Sequence, residues 1–216
     1  MSPKVSKEYF DLRKKQILEA AWECFAEKGY DKTTIRDIAK NMGASIGIIY
    51  KYFKSKNEIL DSISEMSQED RNIAFEEAGK YKVSRDALKA LFAQKFISCP
   101  PDKLKKGAQG NINIWGEAIN RESFNTLFNS HHRQTVDHMT SLITQGKEKG
   151  EIPDDINTQT AASFYTALFM GLQVQAALVE GLQSEKYFES IKYLLTRSIW
   201  RESKKPYWGK DEDPLI

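Results

Sequence analysis

Within the 24 residues from Thr33 to Lys56, TTIRDIAKNMGASIGIIYKYFKSK, hydroxyls, cations and phenols are set among small side chains. Arg36, Lys40, Lys51, Lys54 and Lys56 supply positive charge, and Thr34, Ser45, Tyr50 and Tyr52 supply O–H donors. Such groups bond phosphate oxygens and base edges. Catalytic chemistry has no comparable cluster. The chain contains no Walker loop, GxGxxG, GxSxG or HExxH run and offers no nucleophile–base pair. His131 and His138 would share a helical face, with His132 beside them. Only Asp137 is near enough to complete a ligand set, and it points elsewhere, so neither a metal nor a cofactor is expected. Cys24 and Cys99 lie outside any CxxC pair and read as buried thiols in a reducing, cytoplasmic compartment.

The elements that must hold these groups are short helices. Ile35, Ile38, Ala39 and Met42 recur at helical spacing behind Thr34, which with Asp37 makes a capping box. Gly43 ends that helix, and a second opens at Ser45 and runs through Ile49 and Phe53. Two amphipathic helices joined by Met42-Gly43-Ala44-Ser45 match a helix-turn-helix. Ile38 and Met42 would pack on Ile49 and Phe53, leaving Ser45, Gly47, Tyr50 and Lys51 short or flat enough for close approach to base edges.

Around the motif the sequence reads as helix throughout, with prolines only at 3, 100, 101, 153, 206 and 214. The periodicity predicts helices over about Lys7–Lys28, ending at a left-handed Gly29 cap, and from Ser55, with Ser55 and Glu58 as a second capping box, toward Ala78. Further helices are expected from Ser84 to Pro100, over about Lys103–Asn120, Glu122–Lys149, Thr158–Glu180 and Ser184–Ser203. Gly107, Gly110 and Gly116 weaken the helix that holds them by about 1 kcal/mol each relative to alanine. The fold class is all-α. Ile156–Val179 carries no charge, but its threonines, serine and glutamines suit a helix buried by protein better than one in lipid.

The net charge of +2 conceals a division. Residues 1–56 hold 12 Lys/Arg and 7 Asp/Glu; residues 57–216 hold 20 and 23. A basic first quarter faces a mildly acidic remainder, as expected of a nucleic-acid-reading head on a larger body.

At FAEKGYDKTTIRDIA, then MGAS, then GIIYKYFKSKNEIL, the chain resembles the tetracycline-repressor-like (TetR) family of bacterial transcription regulators. Gly47, Ile49, Tyr50, Tyr52, Phe53, Lys56, Ile59 and Leu60 sit in its frame. The resemblance implies that Thr34, Tyr52 and Lys56 contact DNA phosphates, and that Arg36, Ser45, Ile46, Gly47, Tyr50 and Lys51 reach base edges, Arg36 serving either role. Ile46 and Ile48 stand where the family more often has polar residues. Ile46 either touches thymine methyls or joins Ile49 and Phe53 in a core stripe; Ile48 reads as core. Lys40 reads as solvated surface.

The resemblance further implies a DNA-binding domain over 1–54 and a helical effector-binding and dimerisation domain over 55–203. A tail over 204–216 has too little periodicity to pack. A homodimer would place two recognition helices about 34–36 Å apart on a pseudo-palindromic double-stranded operator. Its interface would use Phe164, Leu168, Gly171, Leu172, Leu195 and Ile199. Phe92, Phe96, Ile112, Trp115, Phe128, His131 and Tyr165 are candidates to line a pocket for a small apolar or amphipathic effector. The expectation is a ligand-released repressor. A DNA-binding regulator without an effector, or a small helical enzyme, are the alternatives.

Overall fold

The computed structural model describes residues 6–180, 185–195 and 200. Among them are nine α-helices: α1 Lys7–Lys28, α2 Ile35–Asn41, α3 Ile46–Tyr52, α4 Lys56–Gly79, α5 Ser84–Phe92, α6 Pro101–Asn120, α7 Glu122–Glu148, α8 Thr158–Leu178 and α9 Glu185–Leu195. A π-helical turn, Ala93–Ile97, prolongs α5. No strand occurs among the described residues.

Local chemistry explains most boundaries. Ser6 caps α1 by accepting from the Tyr9 N–H, and Gly29 ends it at φ 78°. Its ψ of 163° is extended rather than left-handed helical, so the chain leaves α1 in a straight exit that only glycine adopts readily. The Thr34–Asp37 capping box is complete: each side chain accepts from the other's backbone N–H. At α4 the box is only half formed. Ser55 accepts from the Glu58 N–H at 3.1 Å, but the Glu58 carboxylate accepts from Lys54, one residue farther back, at 2.6 Å. α6 starts at Pro101, earlier than its periodicity suggested, because proline suits the first helical position, where no N–H partner is needed.

Two apolar cores organise the molecule. The first joins Ile17, Ala21 and Phe25 of α1 to Ile38 of α2, Ile49 of α3 and Phe53 just beyond it. It also takes Ile59, Leu60 and Ile63 from α4, Ile114 and Ala118 from α6, and Phe124 from α7. Packing therefore runs across the 54/55 boundary. The second core gathers Leu88, Phe92 and Phe96 with Ile143, Ala162, Tyr165 and Phe188. α8 is long and apolar enough to cross a membrane by length and composition alone. Its inner face, with Ala162, Tyr165, Leu172 and Ala176, lies in this second core.

α6 forms one continuous helix despite its glycines, because one of them is needed where it is. A Cβ on Gly110 would stand 2.7 Å from Cζ2 of Trp22 and 3.0 Å from Cβ of Ala26. The missing side chain lets α6 press against α1, and there Asn113 donates to the Phe25 and Ala26 carbonyls at the end of α1.

Candidate nucleic-acid interface

α3 is held from below and open above. Ile49 and Phe53 are buried, and Ile46 is half-buried against the same core, which gives Ile46 the packing role. Ile48 is also half-buried but is not among the residues of that core. Outward stand Ser45, Gly47, Tyr50 and Lys51, with Tyr50 55% exposed. Gly43, at φ 65°, makes the turn between α2 and α3, a conformation that side-chain-bearing residues resist. Arg36 and Lys40 project from α2 and are exposed.

The three residues expected at phosphates differ in what they have left to give. Tyr52 is half-buried with its ring 4.5 Å from that of Phe10, and among the described residues its hydroxyl has no partner, so it is ready to donate. Thr34 is exposed, but its hydroxyl donates to Asp37 at 2.6 Å and its backbone N–H goes to the same carboxylate. Lys28 donates to Asp37 from the other side at 2.8 Å. First Lys28 and then Thr34 hold that carboxyl well below the usual carboxylate range.

Lys56 is turned inward. Its ammonium donates to the carbonyls of Tyr30 at 2.7 Å, Thr33 at 2.8 Å and Asp31 at 3.3 Å, which uses all three of its N–H donors. Nζ also lies 4.2 Å from the Tyr30 ring centroid. Burial pushes its pKa down, with Asp31 opposing. Lys56 therefore pins the start of α4 to the loop between α1 and α2, and the expectation of a phosphate clamp there is corrected. Sequence reading passed over Lys32 and gave Lys54 only as one of the motif's cations; both are exposed, and among the described residues their ammoniums enter no hydrogen bond or ion pair. Their signal was only the charge run, which a solvated face shares.

The same loop is gripped by the larger domain. Arg121, between α6 and α7, lies 4.4 Å from the Tyr30 ring centroid and pairs with Asp31 at 2.9 Å and Glu117 at 2.6 Å. The Tyr30 hydroxyl donates to Asn57.

The seven pocket candidates do not converge. Phe92, Phe96 and Tyr165 are buried in the second core with Ile112 against it, and Phe92 and Phe96 stack among Phe169 and Phe188. Tyr165 donates to the Leu195 carbonyl. Phe128 packs on the first core, Trp115 is half-buried in α6, and His131 is buried with Nδ1 3.1 Å from Ser64 Oγ. Open clefts of about 500 Å³, between α1 and α4, and about 320 Å³, between α1 and the end of α2, contain none of the seven.

Of the dimer candidates, Phe164 and Gly171 are exposed and Leu168 is half-buried. Leu172 and Leu195 are only 3% and 2% exposed because they face the second core, so both are corrected to packing residues. Ile199 and the 204–216 tail lie outside the described residues. The outer stripe of α8 is completed by Ala167, Val174 and Leu178, with Leu194 of α9 also exposed.

With this geometry in place, comparison with known proteins is direct. Residues 17–63 match the profile of the bacterial regulatory proteins of the tetR family, and residues 101–198 match that of the BetI-type transcriptional repressor C-terminal region. Together they take in about two thirds of the chain. The protein belongs to the TetR family: it is a DNA-binding transcriptional regulator of the repressor type, not an enzyme. It is 26% identical over 181 residues to an HTH-type transcriptional repressor of Mycobacterium tuberculosis, covering 84% of this chain and 91% of that one. It is also 26% identical to the fatty acid metabolism regulator protein of Bacillus subtilis, over 68% of this chain and 74% of that one. A transcriptional regulator from Saccharomonospora viridis, solved in complex with choline, shares the fold. Its TM-score is 0.76 at 22% identity, covering 89% of this chain and all of that one.

Proposed function

We propose that the protein is a cytoplasmic, ligand-responsive repressor that binds a pseudo-palindromic operator as a homodimer. Residues 1–54 read DNA, and 55–203 sense the effector and dimerise. The observation that carries the DNA reading is α3: a helix anchored by buried Ile49 while Ser45, Gly47, Tyr50 and Lys51 stand exposed beside a glycine turn. Base edges are read by Arg36, Tyr50 and Lys51, and Tyr52 donates to phosphate.

The outer stripe of α8 supports dimerisation. Phe164, Ala167, Gly171, Val174 and Leu178 recur at i, i+3, i+7, i+10 and i+14, and solvent covers them in the single chain. A two-fold contact removes that stripe from water and spaces the two reading heads. Effector control works by population shift: a ligand that favours one placement of α4 favours one separation of the heads. The choline complex of a fold relative supports control by a small molecule.

Selection of bound fragments from genomic DNA, followed by footprinting, tests this reading. A recovered site with two inverted half-sites, bound more weakly by Tyr50→Ala and Lys51→Ala, is the expected result. A site without two-fold symmetry, or one bound equally by both variants, overturns it.

A further inference from the structure

The wider of the two open clefts, about 500 Å³ between α1 and α4, contains none of the residues assigned to DNA. Asp11, Lys14, Lys15, Leu18 and Glu19 line it from α1, at i, i+3, i+4, i+7 and i+8. Ser62, Glu65, Met66, Glu69 and Asp70 line it from α4 at the same steps. Each set is one face of its helix, about 12 Å long at the α-helical rise. The cleft is a trough walled by the two faces.

Its walls carry five carboxylates and two ammoniums, a net charge of −3. None of the seven is ion-paired among the described residues. Lys14 leans toward the end of α3, with its ammonium 5.6 Å from the Phe53 ring centroid. The floor is apolar, because Leu18 is buried and Met66 is half-buried against the first core.

Ser62 distinguishes this trough from a merely acidic surface. It is only 9% exposed, yet its hydroxyl bonds no other group among the described residues. Nor is that hydroxyl sealed in: among the described residues only Arg85 Nε is both unpaired and closed to solvent. Ser62 Oγ therefore opens on the cleft that Ser62 lines. A buried hydroxyl without a partner carries a cost that a ligand N–H removes.

The carboxylates are spread along the trough rather than gathered. Among the described residues no three acidic, histidine or cysteine side chains lie close enough to hold a metal ion. A divalent cation such as calcium needs about six oxygens at about 2.3–2.6 Å, which this array does not offer. A cation that meets separated carboxylates, one buried hydroxyl and an apolar floor is long, charged at both ends and aliphatic between. The geometry points to a small-molecule site in this trough for a linear di- or polyammonium ion. One ammonium donates to Ser62 Oγ and the carboxylates of α4, another donates to the carboxylates of α1, and the methylenes lie on Leu18 and Met66. The site stands apart from the proposed effector control and does not depend on it. When filled, it ties α1 of the reading head to α4.

Isothermal calorimetry of the full-length protein tests the site, with spermidine, 1,8-diaminooctane, octylamine, octanoate and Mg²⁺ as probes. DNA is left out, because its phosphates bind polyamines themselves. Spermidine or the diamine binds once per chain, at least fivefold more tightly than octylamine; octanoate gives no heat, and equimolar Mg²⁺ does not displace the bound ion. Ser62→Ala weakens binding by about tenfold, while its melting temperature holds because the hydroxyl has no protein partner to lose. Glu65→Gln with Glu69→Gln also weakens binding, and Lys15→Gln, which removes a like charge, tightens it about two- to fivefold. Circular dichroism checks each variant's fold. No binding of either polyammonium, equal binding of octylamine, displacement by equimolar Mg²⁺, or unchanged affinity in Ser62→Ala overturns the site.

Discussion

Lys56 shows how a residue of the right type at the right spacing can hold another role. Its ammonium closes three carbonyls of the α1–α2 loop, so Lys56→Met leaves those acceptors unpaired and costs about 1–3 kcal/mol in urea unfolding. The salt dependence of operator binding keeps its slope in that variant, whereas Lys51→Ala or Lys54→Ala lowers the slope by about 1 where the residue neutralises a phosphate. Filter binding across a salt series measures this difference. The Thr34–Asp37 box was legible from sequence because both partners lie within one helical turn. The partners of Lys56 lie 23 to 26 residues away, beyond any periodicity. His131 carries a pH prediction. Burial first, and Arg71 second, push its pKa below the ordinary histidine value. The unfolded chain therefore takes up a proton that the folded chain resists. Its contribution to stability is whole above about pH 6.5 and declines as pH falls below that. Thermal melts from about pH 7.5 to 5.5 should show a smaller loss for His131→Gln than for the native chain.

Among the elements, α6 tests whether a glycine is tolerated or required. Gly110→Ala drives a methyl into Trp22 and Ala26 and is expected to destabilise by about 1–3 kcal/mol. Gly107 has open space around its missing Cβ, so Gly107→Ala is expected to stabilise by up to about 1 kcal/mol. Chemical denaturation of the pair separates packing from propensity. Sequence reading treated the three glycines alike, because which one meets a neighbour depends on where α1 lies. Most of the helical framework was legible from apolar periodicity and from capping residues such as Thr34 and Ser55. The π-helical turn at 93–97 was not. It carries no residue signature that periodicity or capping could reveal. Phe92 and Phe96, named from sequence as candidate pocket lining, pack on Phe169 and Phe188 in this structure.

For the whole molecule, the outer stripe of α8 is the feature a single chain leaves unfinished. Phe164 and Leu178 are 53% and 72% exposed. Phe164→Glu with Leu178→Glu should convert the proposed dimer to a monomer by sedimentation, with little change in helical content, because neither side chain belongs to the apolar cores. The monomer is expected to lose operator affinity steeply, since half-site binding forfeits the second head. The family resemblance implied an interface on α8, and apolar periodicity did not say which side of that helix faces out. Leu172 and Gly171 are neighbours in chain, and one is buried while the other is open.

The grip of Arg121 and Lys56 on the Tyr30 loop bears on how the protein can be recombined. A hybrid regulator cut between 54 and 55 would part Lys56 from the carbonyls it closes. It would also part Ile59, Leu60 and Ile63 from Phe25 and Ile38. Moving the cut past α4 repairs those contacts, yet it still leaves Ile114, Ala118, Arg121 and Phe124 to be supplied by the incoming sensor. The transplantable unit is therefore discontinuous: the first 79 residues, through the end of α4, together with the α6–α7 corner, grafted as matched pieces.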